Sequence, residues 1–198
     1  MNNFPEFFET NEYFIDQKVN YFKFEVEYKV FNQTGAQIGF IRQRLSTKQK
    51  ALRLFLNKGM LPFLLEVVDM QGNTLAVIKR GWTFWMSEIQ VLSAHHQIIG
   101  KIKQKWSFMK PVFHINDAAN NKIAEIRGDW KAWNFNINDP AGNSIGSVNK
   151  KWAGAMKEIF THADKYNVSI KEEYEENSDK IVVVSTAITI DMVLKESK

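Results

Sequence analysis

The side chains best placed to do chemistry in this chain are basic. Arg42, Arg44, Lys79, Lys101, Lys103, Lys105, Arg127 and Lys151 all fall in short runs that alternate apolar and polar residues. Alternate side chains of an extended strand leave on opposite faces, so these eight are expected on the face away from the apolar residues. Such a row could hold an anionic group, since a Lys or Arg near a charged membrane surface contributes about 1 kcal/mol of attraction. Charged residues also serve simply to keep an exposed wall soluble, and both readings stand on the residues alone. Other candidates fall away. The absence of cysteine excludes a thiolate zinc site, a cysteine nucleophile and a disulfide scaffold. His95, His96, His114 and His162 have no zinc-enzyme spacing, and no glycine-rich phosphate loop occurs. Asp117, Asp129, Asp139 and Asp164 each lie near a turn, where carboxylates accept backbone N–H bonds. A non-enzymatic binding or structural domain is expected, with no cofactor.

The charge balance gives the basic row some reach. The chain of 198 residues has a net charge of +4, but five of its acids (Glu172, Glu173, Glu175, Glu176 and Asp179) are crowded into one short run. A basic body with one acidic patch can attract an anionic surface or polymer. Nucleic acid is not the expected partner, because no recognition motif is present and the tryptophans are spaced to pack inward rather than to stack on bases. The amino-terminal MNNFPEFFETNEYF has neither the basic start nor the apolar run of a secretory signal. A cytoplasmic protein is expected, peripheral to the inner face of the membrane if it meets one.

The elements that carry the basic row are repeats. LAVIKRGW at 75–82, IGKIKQKW at 99–106, IAEIRGDW at 123–130 and IGSVNKKW at 145–152 share one register, with IGFIRQRL at 38–45 as a weaker first copy. Each follows a turn signal (NQTG, DMQG, AHHQ, DAANN, DPAG) and an earlier alternating run. Two such runs about a turn form a β-hairpin. Five hairpins predict ten strands. The inward positions would be Ala76, Ile78 and Trp82, then Gly100, Ile102 and Trp106, then Ala124, Ile126 and Trp130, then Gly146, Val148 and Trp152. Small residues beside tryptophans suggest a curved sheet closing around something bulky. Trp133 and Phe135 fall outside that register, with Phe84, Trp85, Phe108 and Met109, and either pack inward or form an exposed aromatic rim. Capping and apolar spacing predict helical turns at 46–59 and 152–168, leading to an extended run at 167–171. The aromatic amino terminus reads as an edge strand, a partner-binding arm, or a covering strand or short helix.

The last element is the odd one. Residues 181–194 carry a single charge, Asp191, in a run that is apolar on every face. β-Branched residues favour a strand, but an all-round apolar helix must be buried, and a membrane span needs about 20 residues. Buried helix, core strand and membrane insertion all remain open on these grounds. A carboxylate in a buried helix needs a partner, and a barrel lysine or a backbone group at the helix end is expected to supply it.

The stretch IGSVNKKWAGAMKEIFTHADKYNVSI at 145–170, followed by ITIDMVL at 188–194, resembles the phospholipid scramblase family. The hairpins upstream resemble the wider class of LURP-one-related and Tubby C-terminal domains. The resemblance covers nearly the whole chain and implies one domain over residues 1–198. It implies an all-β dominated fold: a closed antiparallel barrel of about twelve strands around a central hydrophobic C-terminal helix. Trp82, Trp106, Trp130, Trp152, Ile188 and Asp191 would then belong to its core. It also implies association with anionic phospholipid headgroups or a membrane surface. The alternatives are a protein-interaction domain with no lipid role and an active phospholipid scramblase. In the family an Asp-Ala-Asp step has been proposed to bind calcium. Here Asp164 keeps the second aspartate while His162 replaces the first, and calcium prefers six to eight oxygens, so the implied calcium site is weakened. The oligomeric state is not implied.

Overall fold

The computed structural model describes residues 4–16, 27–43, 61–82, 88–106, 111–129, 133–150, 165–175 and 177–196. A one-turn 3-10 helix at Glu6–Phe8 precedes β1 (Glu12–Asp16), β2 (Glu27–Phe31) and β3 (Gln37–Gln43). Then come β4 (Phe63–Asp69), β5 (Thr74–Arg80), β6 (Glu88–Ser93), β7 (Ile98–Trp106) and β8 (Pro111–Asp117). The remaining strands are β9 (Lys122–Asp129), β10 (Asn134–Asn138), β11 (Ser144–Asn149) and β12 (Lys165–Ile170), and the helix α1 (Ser178–Glu196) ends the chain. Each strand pairs antiparallel with its sequence neighbours, and β1 pairs with β12 to close a twelve-stranded barrel. The aromatic amino terminus is therefore no free edge. Phe7 and Phe8 are buried, and β1 completes the ring.

The five expected hairpins form, and they share one turn. In Asp69–Asn73, the Asp69 N–H donates to the Asn73 carbonyl (3.0 Å) and the Gly72 N–H to the Asp69 carbonyl (3.2 Å). The same pair of bonds recurs at Asn32–Ala36, Ser93–Gln97, Asp117–Asn121 and Asp139–Asn143. The fourth residue is left-handed each time, with φ of 79° at Gly35, 91° at Gly72, 60° at His96, 70° at Asn120 and 91° at Gly142. The pairing slips next to each turn, the mark of a type I turn with a bulge. Three turns add a side-chain clasp. Asp69, Asp117 and Asp139 each accept the backbone N–H of the asparagine four residues on (2.8 Å in all three) and its amide (2.8, 2.8 and 2.9 Å). The carboxyls of Asp117 and Asp139 are held below the usual aspartate range chiefly by that asparagine amide.

Helix α1 fills the barrel. Val182, Val183, Val184, Ala187 and Ile188 are fully buried, facing an inner wall that includes Ala76, Ile78, Ile102, Ala124, Ile126 and Val148. Strand propensity loses because the barrel offers an apolar lining on every side, and each such side chain gains roughly 1.5–3 kcal/mol on burial. Two hydroxyls in the helix are satisfied locally, Thr186 donating to the Val182 carbonyl (2.7 Å) and Thr189 to that of Ser185 (2.6 Å), while the buried Ser185 Oγ has no partner among the described residues. Gly100 marks the close approach of wall and helix, since a Cβ there would lie 2.5 Å from a Val182 methyl. Asp191 is buried, and its Oδ2 accepts the Tyr28 hydroxyl at 2.9 Å, so one partner is a tyrosine. The Tyr166 hydroxyl donates to the Ile188 carbonyl. Desolvation, then the nearby Asp191 charge, pushes its pKa well above the usual tyrosine value.

Two expectations need correction. Trp82 is 56% exposed and not in the core. Strand β5 ends at Arg80, so the inward phase is lost at Gly81. Arg80 takes the last inward place, donating to the Leu61 carbonyl (2.9 Å) with its guanidinium 4.8 Å from the Phe63 ring centre. Of the two readings of Trp133 and Phe135, the inward one holds: Phe135 is buried, and Trp133 packs on it and on Tyr166 at 6.1 and 5.3 Å between ring centres. The extended run expected at 167–171 forms as β12, which already begins at Lys165, within the end of the segment also expected to be helical. The side chains of Trp106, Trp130 and Trp152, the segment 46–59, residues 152–164 and the other expected rim residues (Phe84, Trp85, Phe108, Met109) lie outside the described residues.

Candidate functional site

The outer face of β7, β8 and β9 carries the densest described set of expected site residues. Register fixes the neighbours. Lys103 on β7 lies between Glu88 on β6 and His114 on β8, and His114 is opposite Glu125 on β9. Lys101 is opposite Asn116, which is itself paired with Lys122. Arg127 stands two residues along β9 from Glu125, on the same face.

Two carboxylates organise these cations. Glu125 accepts Lys122 through Oε2 (2.9 Å) and Arg127 through Oε1 (2.9 Å), with His114 Nε2 at 3.8 Å. The Lys122 hydrogen bond lowers the Glu125 pKa against the cost of desolvation, and the charges of Lys122, Arg127 and His114 add to the effect. Glu88 lies 3.7 Å from Lys101. Lys103 is exposed, and Arg127 keeps 61% of its side chain in solvent despite its bond to Glu125. The same alternation puts Asp129 on the outer face of β9, so with a neutral imidazole the wall's four cations (Lys101, Lys103, Lys122, Arg127) stand against three carboxylates (Glu88, Glu125, Asp129). Lys103 and Arg127 are exposed, so their charge is open to a ligand.

The other expected residues do not join this set. Arg42 is on β3, six strands from β9 in a ring of twelve and so on the opposite side. There Arg42 Nε bonds Glu27 at 2.7 Å and its guanidinium sits 5.0 Å from the Phe40 ring centre. Lys79 on β5 faces Gln90 on β6, two strands short of the wall. The Lys105 backbone pairs with Val112 in β7, but its side chain, like Arg44 and Lys151, lies outside the described residues. His162 and Asp164, the weakened calcium pair, also lie outside them. Among the described residues no group of three His, Asp or Glu could hold a metal ion.

Sequence reasoning missed Lys122 and the placement of His114 beside Glu125. The signal was present: the Asp117–Asn121 turn with its bulge fixes the β8–β9 register, and that register sets His114 against Glu125. It also did not foresee that carboxylates would gather at the turn end. Desolvation, then the charges of Asp117 and Glu175, raises the Asp179 pKa. Burial and the same kind of neighbours push Tyr174 up to about 12.

The comparisons with known proteins agree with a barrel threaded by its own C-terminal helix. The Scramblase family profile matches residues 11–197. The chain belongs to the Scramblase family. Its fold is that of the wider Tubby C-terminal-like and LURP-one-related group. The X-ray structure of a protein from Arabidopsis thaliana superposes with a TM-score of 0.56 at 9% identity, covering 92% of this chain and 90% of that one. At that identity the likeness concerns the fold. No curated protein matches the chain. Among the described residues of this Scramblase-family chain, no helix is long and apolar enough to cross a membrane.

Proposed function

We propose that this chain acts as one non-enzymatic domain that attaches to anionic phospholipid headgroups through the outer wall of β7–β9. The observation that carries the reading is the grouping of Lys101 and Lys103 on β7 with Lys122 and Arg127 on β9, either side of β8, with Lys103 and Arg127 open to solvent. Family membership supports a lipid-associated role. The mechanism is recognition by a rigid shell. Hydrogen-bonded strands hold the cations at fixed spacing, and each contributes about 1 kcal/mol near an anionic surface. Glu125 limits the set's charge and orients Lys122 and Arg127. Co-sedimentation with phosphatidylglycerol vesicles tests this. Binding should fall steeply between about 50 and 300 mM salt, because exposed charges are screened over about a Debye length, and neutral phosphatidylcholine vesicles should not bind. Salt-insensitive binding, or none, would overturn it.

A further inference from the structure

One group on the basic wall is neither a fixed cation nor a fixed anion. His114 lies midway along β8, opposite Lys103 on β7 and opposite Glu125 on β9. It projects outward, since its neighbours Phe113 and Ile115 are buried in the core and successive side chains alternate across a strand. Its side chain is 24% exposed, so the ring meets solvent and can exchange a proton with it. Hydrogen-bonded strands, not a loop, fix its distance from the charges on either side.

Glu125 couples this ring to the fixed cations. Its Oε1 accepts Arg127 at 2.9 Å, while its Oε2 accepts Lys122 at 2.9 Å and has His114 Nε2 at 3.8 Å. One carboxylate oxygen therefore faces two nitrogens, and the imidazole stands just beyond hydrogen-bond distance. A neutral ring leaves that oxygen to Lys122. A protonated ring competes for it, because hydrogen bonds between charged partners are shorter and stronger than those between neutral groups. The charged groups around the ring are Lys101, Lys103 and, past Lys103, Glu88 on one side, and Glu125, Lys122, Arg127 and Asp129 on the other. The Lys105 side chain lies outside the described residues, and helix α1 packs on the opposite, inner side of β8. Carboxyl groups ordinarily titrate below about pH 5 and lysine and arginine above about pH 9, so histidine is the group that changes charge between them. Glu125 is held below its ordinary value and keeps its charge across that window.

We infer that His114 is a pH-sensitive regulator of this wall, strengthening its hold on anionic lipid as the surroundings turn mildly acidic. The inference rests on the lipid reading of the same wall and adds its regulation. Proton uptake moves the wall from four cations against three carboxylates to five against three. The imidazolium also draws on Glu125 Oε2 and so releases the Lys122 ammonium, whose side chain is already 37% exposed, toward a phosphate. Glu125 favours the charged ring, and Lys103, Lys122 and Arg127 oppose it. An anionic surface adds to the Glu125 side of that balance, so lipid and proton each favour the binding of the other.

Co-sedimentation of the full chain with phosphatidylglycerol vesicles, at about pH 7.5 and about pH 5.5 and one ionic strength, tests it. Binding should be about fivefold tighter or more at the lower pH. In His114→Gln the two values should agree within about twofold. His114→Lys, with a fixed charge in the same place, should bind at the higher pH about as tightly as the unsubstituted chain does at the lower. His95→Gln with His96→Gln, in the exposed β6–β7 turn, should keep the rise. In the chain without lipid, carbon chemical shifts of the His114 ring and the Glu125 carboxyl should move with one shared midpoint. Equal binding at both pH values, a rise that survives His114→Gln, a rise lost with His95 and His96, or separate midpoints would each overturn the inference and leave the lipid reading standing. No binding at either pH would overturn both.

Discussion

The inner and outer faces of this barrel carry the same repeat, yet they use it in opposite ways. On the inside, Ile78, Ile102, Ile126 and Val148 occupy equivalent positions and are all fully buried around one helix. On the outside, equivalent positions carry Lys79, Lys103 and Arg127, on β5, β7 and β9. A ring explains the difference. Each hairpin advances two strands, about 60° around twelve, so inward side chains converge on the axis while outward ones diverge. A periodic pattern therefore reports one shared core but not one shared site. Outside, only residues on neighbouring strands can act together, as on β7–β9.

The largest effect should come from the convergent side. Ile188→Ala removes fully buried methyl groups from the helix that every wall strand encloses, and should cost about 2–5 kcal/mol of stability, measured by chemical denaturation. Lys103→Ala, on the divergent side, should shift the same curve by no more than about 0.5 kcal/mol. Equal losses would erase the distinction.

Tyr28→Phe sharpens it further. That change keeps the ring in place but withdraws one hydroxyl from the buried Asp191 carboxylate, so about 1–3 kcal/mol should be lost. No loss would mean that the carboxylate does not need that hydroxyl.

The smallest effect belongs to Glu125. Its folded pKa lies below the ordinary 4.5, so the unfolded chain takes up its proton more readily. The stability it contributes is complete above about 4.5, and is lost as pH falls through the folded value. Glu125→Gln should flatten this part of the acid limb without altering stability at higher pH beyond the loss of the pair. An unchanged acid limb would contradict the Lys122 and Arg127 bonds.

What the sequence made legible follows the same division. Turn signals such as Asp139-Pro140-Ala141-Gly142 act locally, and each hairpin formed where they lay. Closure of the ring was not local: β1 meets β12 across some 150 residues; small residues beside tryptophans suggested a closing sheet, but only the family resemblance implied a ring of about twelve strands. Trp82 was misplaced because alternation was extended past Gly81, where the strand has ended. The basic residues were correctly read as outward-facing where their side chains are described. Their distribution around the barrel was not legible, because spacing along the chain carries no angle until the strand count is known. The Glu125 clasp depended on the register set by the bulged Asp117–Asn121 turn, which the turn residues signalled but the charge count did not.

Vesicle binding by two double variants with the same change in net charge tests the docking wall most directly. Lys103→Gln with Arg127→Gln alters β7 and β9. Lys29→Gln with Arg42→Gln alters β2 and β3, across the ring. If β7–β9 is the docking face, the first pair should weaken binding to phosphatidylglycerol vesicles about tenfold or more, and the second should leave it within about twofold. Equal weakening by both pairs would mean that net charge alone draws this protein to lipid, and would contradict a defined docking wall.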